Sequence, residues 1–159
     1  MVGKTELIIT SPTVSVSINP TQALEDGSSN LVYQITRSGD LSKPLSVNYM
    51  LSGTAALSSD YTVLGSTSTS TTRTVTFAPN SATASITIDP TSDNTPEDNE
   101  TVQLLIAGGT GYQVGASKSA SGIIKNDDIT SSVSTTLLAG QSSLRLTGTA
   151  SIRGTGNEL

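Results

Sequence analysis

The chain has 159 residues, which is enough for one domain of ordinary size with short flanks. It contains no cysteine and no histidine, and this excludes thiol nucleophiles, Ser-His triads, disulfide scaffolds and zinc sites built on those residues. The net charge is −5 with only eight basic residues, which argues against nucleic-acid binding, because phosphate contacts need clustered Lys and Arg. Carboxylate and hydroxyl chemistry remains.

No segment approaches the roughly 20 consecutive apolar residues of a membrane-spanning helix. The first ten residues also lack the apolar core of a secretory signal peptide. We therefore expect no membrane insertion, and the compartment has to be inferred from other features of the chain.

Apolar residues recur at every second position along most of the chain, which is the period of half-buried β-strands. The predicted strands, in chain order, are A at 14–18, B at 31–35, C at 45–51, D around 75–77, E at 84–88, F at 102–106 and G at 118–125. Seven strands separated by frequent turn signals predict an all-β protein, an immunoglobulin-like seven-stranded antiparallel β-sandwich.

Two polar segments affect the predicted organisation. Residues 65–72 are low-complexity, and we interpret them as a loop within strand D, so that 61–78 cross the sandwich once. Beyond residue 128 the chain is rich in Ser and Thr and is predicted to form extra strands or to be partly disordered. The predicted domains are therefore an N-terminal flank at 1–12, a sandwich at 13–129 and a C-terminal extension at 130–159.

Nine of the 13 acidic residues fall in four connections of the predicted sandwich. They are Glu25 and Asp26 between A and B, Asp60 between C and D, Asp93, Glu97, Asp98 and Glu100 between E and F, and Asp127 and Asp128 after G. Successive antiparallel strands reverse direction, so these four connections lie at one end of the sandwich. If 61–64 and 73–78 were separate antiparallel strands, the cluster would be divided. The loops at the other end carry one acid, Asp40.

Carboxylates crowded at one end repel each other unless a cation neutralises them or some bind protons. Oxygen ligands without imidazole or thiolate select Ca²⁺ over zinc or copper, and flexible loops supplying six to eight oxygens suit Ca²⁺ better than Mg²⁺. The pattern therefore predicts a Ca²⁺ site. The alternative interpretation is that these acids are solvated loop residues, since acids are common in β-turns.

Several separated motifs resemble the Calx-β domain. In order they are NPTQALEDG, YQITRSGDLSKPLSVNY, SDYT, VTFAPNSATASITI, EDNET and NDD, spread over about residues 13–129. This module occurs in sodium–calcium exchangers, integrin β4 and many large bacterial surface or secreted proteins. The resemblance implies an immunoglobulin-like sandwich, in agreement with the strand count, and Ca²⁺ bound at one tip in the calcium-binding members.

The resemblance also implies a set of metal ligands. They are Glu25, Asp60, Asp93, Glu97, Glu100, Asp127 and Asp128, with Thr95 offering a backbone carbonyl. Two positions depart from the exchanger-type pattern, because Ser92 precedes Asp93 and Asn126 precedes Asp127 where that pattern has acids. Fewer charges imply fewer ions or weaker binding, since affinity follows the charge of the ligands.

The C-terminal LRLTGTASIRGTGNEL resembles the lead-in to RTX-type nonapeptide repeats. Only one partial unit is present, so no calcium-binding roll is expected from it, because a repeat buries its face only against neighbours. The resemblance implies a large bacterial exported protein with a distant C-terminal secretion signal, and hence a secreted or cell-surface location.

Three functions remain open. The first is a calcium-binding structural and adhesive module that contacts neighbouring domains of the same chain, homo-oligomer partners or a surface partner. The second is a calcium sensor, and the third is a subunit that assembles through edge strands near 5–12 or 130–146. Catalysis is not expected, because a glycosidase would need aromatic sugar platforms and the chain has no Trp.

Other conspicuous residues have structural interpretations. Tyr33 and Tyr49 lie on the inward register of strong strands and are predicted to be core residues. Arg37 and Lys43, near Asp40, are interpreted as an ordinary surface cluster.

Overall fold

Alternating apolar residues build two facing sheets. The structure is a computed structural model that describes residues 11–64, 72–147, 151 and 153–157. The strands are β1 (Thr13–Ile18), β2 (Gln22–Leu24), β3 (Leu31–Ser38), β4 (Leu45–Gly53), β5 (Tyr61–Leu64), β6 (Thr72–Phe77), β7 (Thr83–Pro90), β8 (Glu100–Ile106), β9 (Gln113–Val114), β10 (Ser119–Lys125), β11 (Asp128–Ser131), β12 (Thr135–Thr136), β13 (Ser143–Leu146) and β14 (Gly154–Thr155). Within these ranges no helix is long and apolar enough to cross a membrane.

The first sheet has the order β5-β7-β3-β1-β9 and the second has the order β2-β10-β8-β4-β6. All neighbouring pairs are antiparallel except β1 with β9 and β2 with β10, which are parallel. The predicted all-β sandwich is confirmed. The strand count is finer than predicted. β2 lies in the predicted connection between A and B and joins the second sheet, and the predicted crossing at 61–78 contains two strands, β5 and β6, one in each sheet.

The predicted single crossing by residues 61–78 is confirmed at both of its ends. β4 runs from Leu45 at one end of the sandwich to Gly53 at the other. Phe77, the last residue of β6, pairs with Leu45, whereas Asp60, just before β5, lies beside Glu100 at the Gly53 end. Residues 65–71, which contain most of the predicted loop, lie outside the described residues.

The core lies between the two sheets. Its fully buried large side chains are Leu31, Tyr33, Ile35, Val47, Tyr49, Phe77, Ile88, Val102 and Leu104, with Val14 beside them. Both predicted core tyrosines are among them. Tyr33 donates its hydroxyl hydrogen to the carbonyl of Val102 at 2.5 Å, which satisfies the one polar atom that this side chain takes into the core.

Arg37 is buried, with only 5% of its surface exposed, so the predicted surface cluster is wrong for this residue. It follows Tyr33 and Ile35 on the inward register of β3, and its guanidinium donates to four backbone carbonyls at the end of the sandwich opposite the acids. The guanidinium also lies 5.1 Å from the centre of the Phe77 ring. Arg37 therefore fixes the loops of that end.

The C-terminal extension forms strands that pair with each other and with β11, which begins at Asp128, before the predicted boundary at residue 130. β11 pairs in parallel with β13, and β12 pairs in parallel with β14. Of the two alternatives predicted for this segment, extra strands are found at 128–131, 135–136, 143–146 and 154–155. Residues 1–10, most of the predicted N-terminal flank, lie outside the described residues.

Candidate metal centre

The acids of four separate connections meet at one end of the sandwich, which we call the acidic pole. Its residues are Glu25, Asp26, Asp60, Asp93, Glu97, Asp98, Glu100, Asp127 and Asp128. Two groups of three carboxylates stand out within it, and in each group one oxygen from every member lies within 4.8 Å of the others. Asp40, the acid of the opposite loops, lies away from them, near Arg37, Ser42 and Lys43.

The first group, the Asp127 triad, consists of Asp26, Asp127 and Asp128. Asp127 and Asp128 are 5% and 2% exposed, whereas Asp26 faces solvent. Oδ1 of Asp127 and Oδ2 of Asp128 are buried, and no described residue donates a hydrogen bond to either atom. Buried carboxylate oxygens without donors are costly, and a cation is the partner that such a group of oxygens fits. The Asp127 triad therefore has the chemistry of a hard-cation site.

The second group, the Glu100 triad, consists of Asp60, Glu97 and Glu100. Burial raises the pKa of Glu100 to about 7, and a hydrogen bond with Asp60 and that residue's charge act in the same direction. The pKa of Asp60 is lowered instead, chiefly because the Ala56 N–H donates to its Oδ2 at 2.5 Å. Without a metal, Glu100 is thus the member of this pair that holds the proton.

Glu25 couples the two triads electrostatically. It is 6% exposed, and burial is the largest cause that raises its pKa to about 7. Four neighbouring charges raise this pKa further, and from the largest effect to the smallest they are those of Asp93, Glu97, Asp128 and Asp127. Because those residues come from both triads and from the loop between them, the acidic pole is one electrostatic unit, and a cation bound in it would release protons.

Asp93 and Thr95 lie in the exposed loop between β7 and β8, outside both triads. The Asp93 Oδ1 accepts a hydrogen bond from the backbone N–H of Thr95 at 2.6 Å. Burial raises the pKa of Glu97, and the charge of Asp93 is the next largest cause. The predicted ligand Asp93 is thus close enough to influence both Glu25 and Glu97 without joining a triad.

The β4 end positions the loop that carries Asp60. Thr54 and Thr101 exchange hydrogen bonds, with Thr54 N–H donating to the Thr101 hydroxyl at 3.2 Å and Thr101 N–H donating to the Thr54 hydroxyl at 2.9 Å. Gly53 has φ +132° there, and a Cβ at this position would lie 2.0 Å from the Thr101 carbonyl oxygen. Only glycine allows this close approach, which holds the loop beside Glu100.

Asn126 positions the acids that follow β10. Its backbone N–H donates to Oδ1 of Asn99 at 3.1 Å, which joins the end of β10 to the loop before β8. Its side chain donates to the Asp128 carbonyl at 2.7 Å and accepts from the Asp128 N–H at 3.3 Å. An ionised acid at position 126 could not donate the side-chain bond to the Asp128 carbonyl. Asn126, where the exchanger-type pattern has an acid, therefore contributes a positioning side chain instead of a charge.

The C-terminal extension also reaches the acidic pole. The Ser142 hydroxyl donates to Oδ1 of Asp128 at 2.8 Å, and its backbone N–H donates to the Asp127 carbonyl at 2.6 Å. A cleft of 660 Å³ lies beside this contact, lined in part by Asp26, Asp93 and Gly140. The Asp127 triad is therefore attached directly to the extension, and it borders the cleft through Asp26 and Asp127.

The structure brings the seven predicted acidic ligands together at the acidic pole, with Asp93 in its exposed loop outside both triads. Asp60, Glu97, Glu100, Asp127 and Asp128 belong to the triads, and Glu25 is coupled to both of them. The ligand set implied by the resemblance omits Asp26, although Asp26 is one of the nine loop acids. Ser142 carries no sequence signal, because its contact depends on the parallel pairing of β11 with β13.

We expect the calcium-free protein to lose stability as the pH rises from about 4.5 to above 7. Glu25 and Glu100 have pKa values near 7 when folded and a usual value of 4.5, so the folded state binds more protons than the unfolded state in this window. The lowered pKa of Asp60 acts only at more acidic pH. The loss in unfolding free energy is about 1–3 kcal/mol after allowance for solvent screening.

Urea unfolding in metal-free buffers at pH 5, 6, 7 and 8 measures this effect. The double variant Glu25→Gln and Glu100→Gln is the matched control, since it removes both titrations and should remove most of the pH dependence, leaving the contributions of Glu97 and Asp127. A wild-type stability that increases steadily from pH 5 to pH 8 would contradict the raised pKa values.

No protein-family model matches the chain, and no curated protein matches it significantly. Among solved structures, the chain shares the fold of the Calx CBD domains. The apo-form Calx CBD1 domain is 20% identical with a TM-score of 0.57, and the match covers 75% of this chain and 100% of that one. CBD12 from CALX1.2 is 19% identical with a TM-score of 0.56, covering 73% of this chain and 46% of that one. The calcium binding domain CBD12 of CALX1.1 is 20% identical with a TM-score of 0.54, covering 71% and 44%.

Proposed function

We propose that this protein is a calcium-binding structural module in which Ca²⁺ fixes the acidic pole and the joint with the C-terminal extension. The observation that carries the proposal is a pair of buried carboxylate oxygens, one on Asp127 and one on Asp128, that lie beside Asp26 and accept no hydrogen bond from a described residue. Loops that merely carry solvated acids would not bury two adjacent carboxylates without donors.

The donor set favours Ca²⁺ among the common metal ions. Both triads offer only carboxylate oxygens, and the chain has no Cys or His to favour a softer metal. Three carboxylates provide up to six oxygens, and backbone carbonyls of flexible loops can complete the six to eight ligands that Ca²⁺ takes. CBD12 of CALX1.1, which has the same fold, is a calcium binding domain, and this supports the same assignment.

Calcium would act by ordering the elements that meet at the pole. Asp127 Oδ1 and Asp128 Oδ2, which accept no hydrogen bond from a described residue, would coordinate the ion. The Asp127 carbonyl and Asp128 Oδ1 accept the hydrogen bonds that Ser142 donates. A cation that binds only this arrangement shifts the equilibrium toward it. We therefore propose that Ca²⁺ rigidifies the connection between the sandwich and the extension, so that the module serves as a spacer or adhesive unit without catalysis.

The setting that we propose is a large secreted or cell-surface bacterial protein, with neighbouring domains, other copies or a surface molecule as partners. The absence of Cys and the resemblance of the last residues to RTX repeats support this setting. A calcium-sensing role would use the same pole, and a partner whose affinity for the module changes with Ca²⁺ would distinguish it.

Isothermal titration of the metal-free protein with Ca²⁺ tests the binding. We expect saturable binding to Ca²⁺, much weaker binding to Mg²⁺, and release of protons at pH 7 that is detected as a dependence of the heat on the buffer. Glu100→Gln should weaken binding about tenfold or more, because it removes one ligand of the Glu100 triad.

Asp40→Asn is the matched control, because Asp40 is the acid of the opposite end and should leave the titration unchanged. Equal affinities for Ca²⁺ and Mg²⁺, or loss of binding only in Asp40→Asn, would contradict a calcium site at the acidic pole.

A further inference from the structure

Asp26 and Gly27 form the one aspartate–glycine pair of the chain, and the sequence has no asparagine–glycine pair. The pair lies in the connection between β2 and β3, where residues 26–29 are all exposed. Because glycine has no side chain beside its amide nitrogen, this nitrogen can approach the carboxyl carbon of the residue before it. Two groups joined in this way react far faster than the same groups on separate molecules. The pair therefore carries an intramolecular chemistry that the metal site does not use.

The carboxylate of Asp26 is not held by the loop that carries it. Three other loop acids, Asp40, Asp60 and Asp93, each accept a hydrogen bond from a backbone N–H group, which fixes their orientation. No described residue donates a hydrogen bond to the carboxylate of Asp26. The Asp26 carboxyl group is therefore free to turn toward the backbone.

The amide nitrogen of Gly27 is held only weakly. Its N–H donates to the carbonyl of Leu24 at 3.3 Å, which is longer than the usual range for a backbone hydrogen bond. A bond of this length costs little to open, and the nitrogen is then available to the carboxyl carbon of Asp26. Both residues also line the cleft of 660 Å³ beside the Asp127 triad, so water reaches the reacting atoms.

The architecture of the pole requires both residues of the pair. A Cβ on residue 27 would lie 2.9 Å from the Cβ of Leu24, so any residue other than glycine would force the loop to shift. Asp26 in turn supplies one of the three carboxylates of the Asp127 triad. Packing therefore selects Gly27 and the triad selects Asp26, and together they place a reactive pair at the acidic pole.

We propose that Asp26 is a site of spontaneous conversion to isoaspartate in the folded, calcium-free protein. The nitrogen of Gly27 forms a bond to the carboxyl carbon of Asp26, and the hydroxyl group leaves with the amide proton as one molecule of water. Water then opens the resulting five-membered succinimide at either of its carbonyls, which restores aspartate or leaves isoaspartate. The net reaction is an isomerisation, and it consumes no oxidant, reductant or second substrate.

Isoaspartate at position 26 would displace the carboxylate from the Asp127 triad. The isomer has one more carbon in the main chain and one fewer in the side chain than aspartate. The residues before it are fixed, because Leu24 pairs with Lys125 and the Glu25 N–H donates to the Lys125 carbonyl at 3.0 Å. The change therefore falls on the Asp26 carboxylate and on the loop that follows it.

Calcium would oppose the conversion, and this step rests on the proposed function. A carboxylate that coordinates an ion is not free to turn toward the Gly27 nitrogen, so only the calcium-free fraction reacts. Ca²⁺ at about 100 times its dissociation constant leaves about 1% of the protein without the ion and should slow the conversion up to about 100-fold. The calcium-free module thus ages at a residue that calcium protects.

Ageing of the folded protein at 37 °C and pH 7.5 in excess EDTA tests the proposal. Peptide mapping by electron-transfer mass spectrometry locates isoaspartate, and a synthetic peptide of residues 22–30 gives the rate of the unconstrained loop. We expect position 26 of the folded protein to convert within about tenfold of the peptide rate, because the structure leaves both reacting groups accessible. Conversion only through global unfolding would be slower by about 1,000-fold or more. A parallel sample in millimolar Ca²⁺ measures the protection.

Asp26→Glu is the matched control, because it keeps the carboxylate but would have to form a six-membered ring, which closes far more slowly. Its calcium affinity should not change with ageing, whereas that of the wild type should fall as isoaspartate accumulates. A folded protein that stays unconverted at position 26 in EDTA while the peptide converts would overturn the proposal. Conversion at equal rates in EDTA and in Ca²⁺ would support the modification site and would count against Asp26 as a calcium ligand, so the two proposals fail separately.

Discussion

Asp127→Asn is expected to raise the melting temperature of the calcium-free protein and to remove most of the rise that calcium produces. Oδ1 of Asp127 is buried without a donor beside two other acids, so neutralising the side chain relieves about 1–3 kcal/mol of repulsion and desolvation. Burial is the largest cause that raises the pKa of Asp127, and asparagine avoids this cost while keeping one side-chain oxygen at the position. In calcium the variant loses a charged ligand of the Asp127 triad.

The measurement is thermal unfolding of both proteins in excess EDTA and in millimolar Ca²⁺ at pH 7.5. Calcium at about 100 times its dissociation constant stabilises the wild type by about 2.7 kcal/mol, which raises the melting temperature by roughly 5–10 °C. The variant should therefore have the higher melting temperature in EDTA, and the wild type should have the higher melting temperature in Ca²⁺. Asp98→Asn is the matched control, since Asp98 is an exposed acid of the same pole outside both triads. A variant that melts lower than wild type in EDTA and keeps the calcium rise would contradict the site.

The general position of the site could be predicted from the sequence because it depends on strand direction. Alternation of apolar residues located the strands, and counting reversals gathered the loop acids at one end. The structure supports that count, since Asp60 meets Glu100 across forty residues and Glu25 is influenced by Asp128. Reversal of direction is a property of the topology, and it survives errors in the exact ends of strands.

The details that were missed arise from three-dimensional contacts that leave no local pattern. Asp26 joins the Asp127 triad because β2 pairs in parallel with β10, which brings the residues after both strands together. Ser142 reaches Asp128 because β13 pairs with β11. Parallel pairing between distant short strands has no periodicity in the sequence that distinguishes it from antiparallel pairing, so neither contact could be predicted.

Arg37 had a usable signal that was overlooked. It occupies the fourth position of the inward series Leu31, Tyr33, Ile35 and Arg37, and its burial follows from that register. The charge alone suggested the surface, since Arg is rarely buried unless its donors are satisfied. Here the donors are satisfied by carbonyls of the loops at the end opposite the acidic pole, and this arrangement makes Arg37 a structural residue of the sandwich.

Arg37→Met is expected to destabilise the protein by about 3–5 kcal/mol, the largest effect of any single change proposed for this molecule. The guanidinium donates to the carbonyls of Ser81 and Lys43 at 2.8 Å, and to those of Leu41 and Ala78 at 3.1 and 3.0 Å. Methionine fills part of the volume but removes all four bonds: the carbonyls of Ser81 and Lys43 lose their donor, whereas those of Leu41 and Ala78 keep the backbone N–H groups of Asn80 and Ser81. Urea unfolding measures the loss, and Arg37→Lys should recover little of it, because an ammonium lacks the planar fork that reaches all four oxygens.

The calcium response separates this structural role from the site. Arg37 lies at the end of the sandwich opposite Asp127 and Asp128. Both Arg37 variants should therefore keep the calcium-induced rise in melting temperature, although their melting temperatures without calcium are lower than that of the wild type. Independent effects at distant positions add within about 0.5 kcal/mol. A loss of the calcium rise in Arg37→Met at temperatures where the variant is folded would show that the two ends are coupled, and the acidic pole would then depend on the whole sandwich instead of its own four connections.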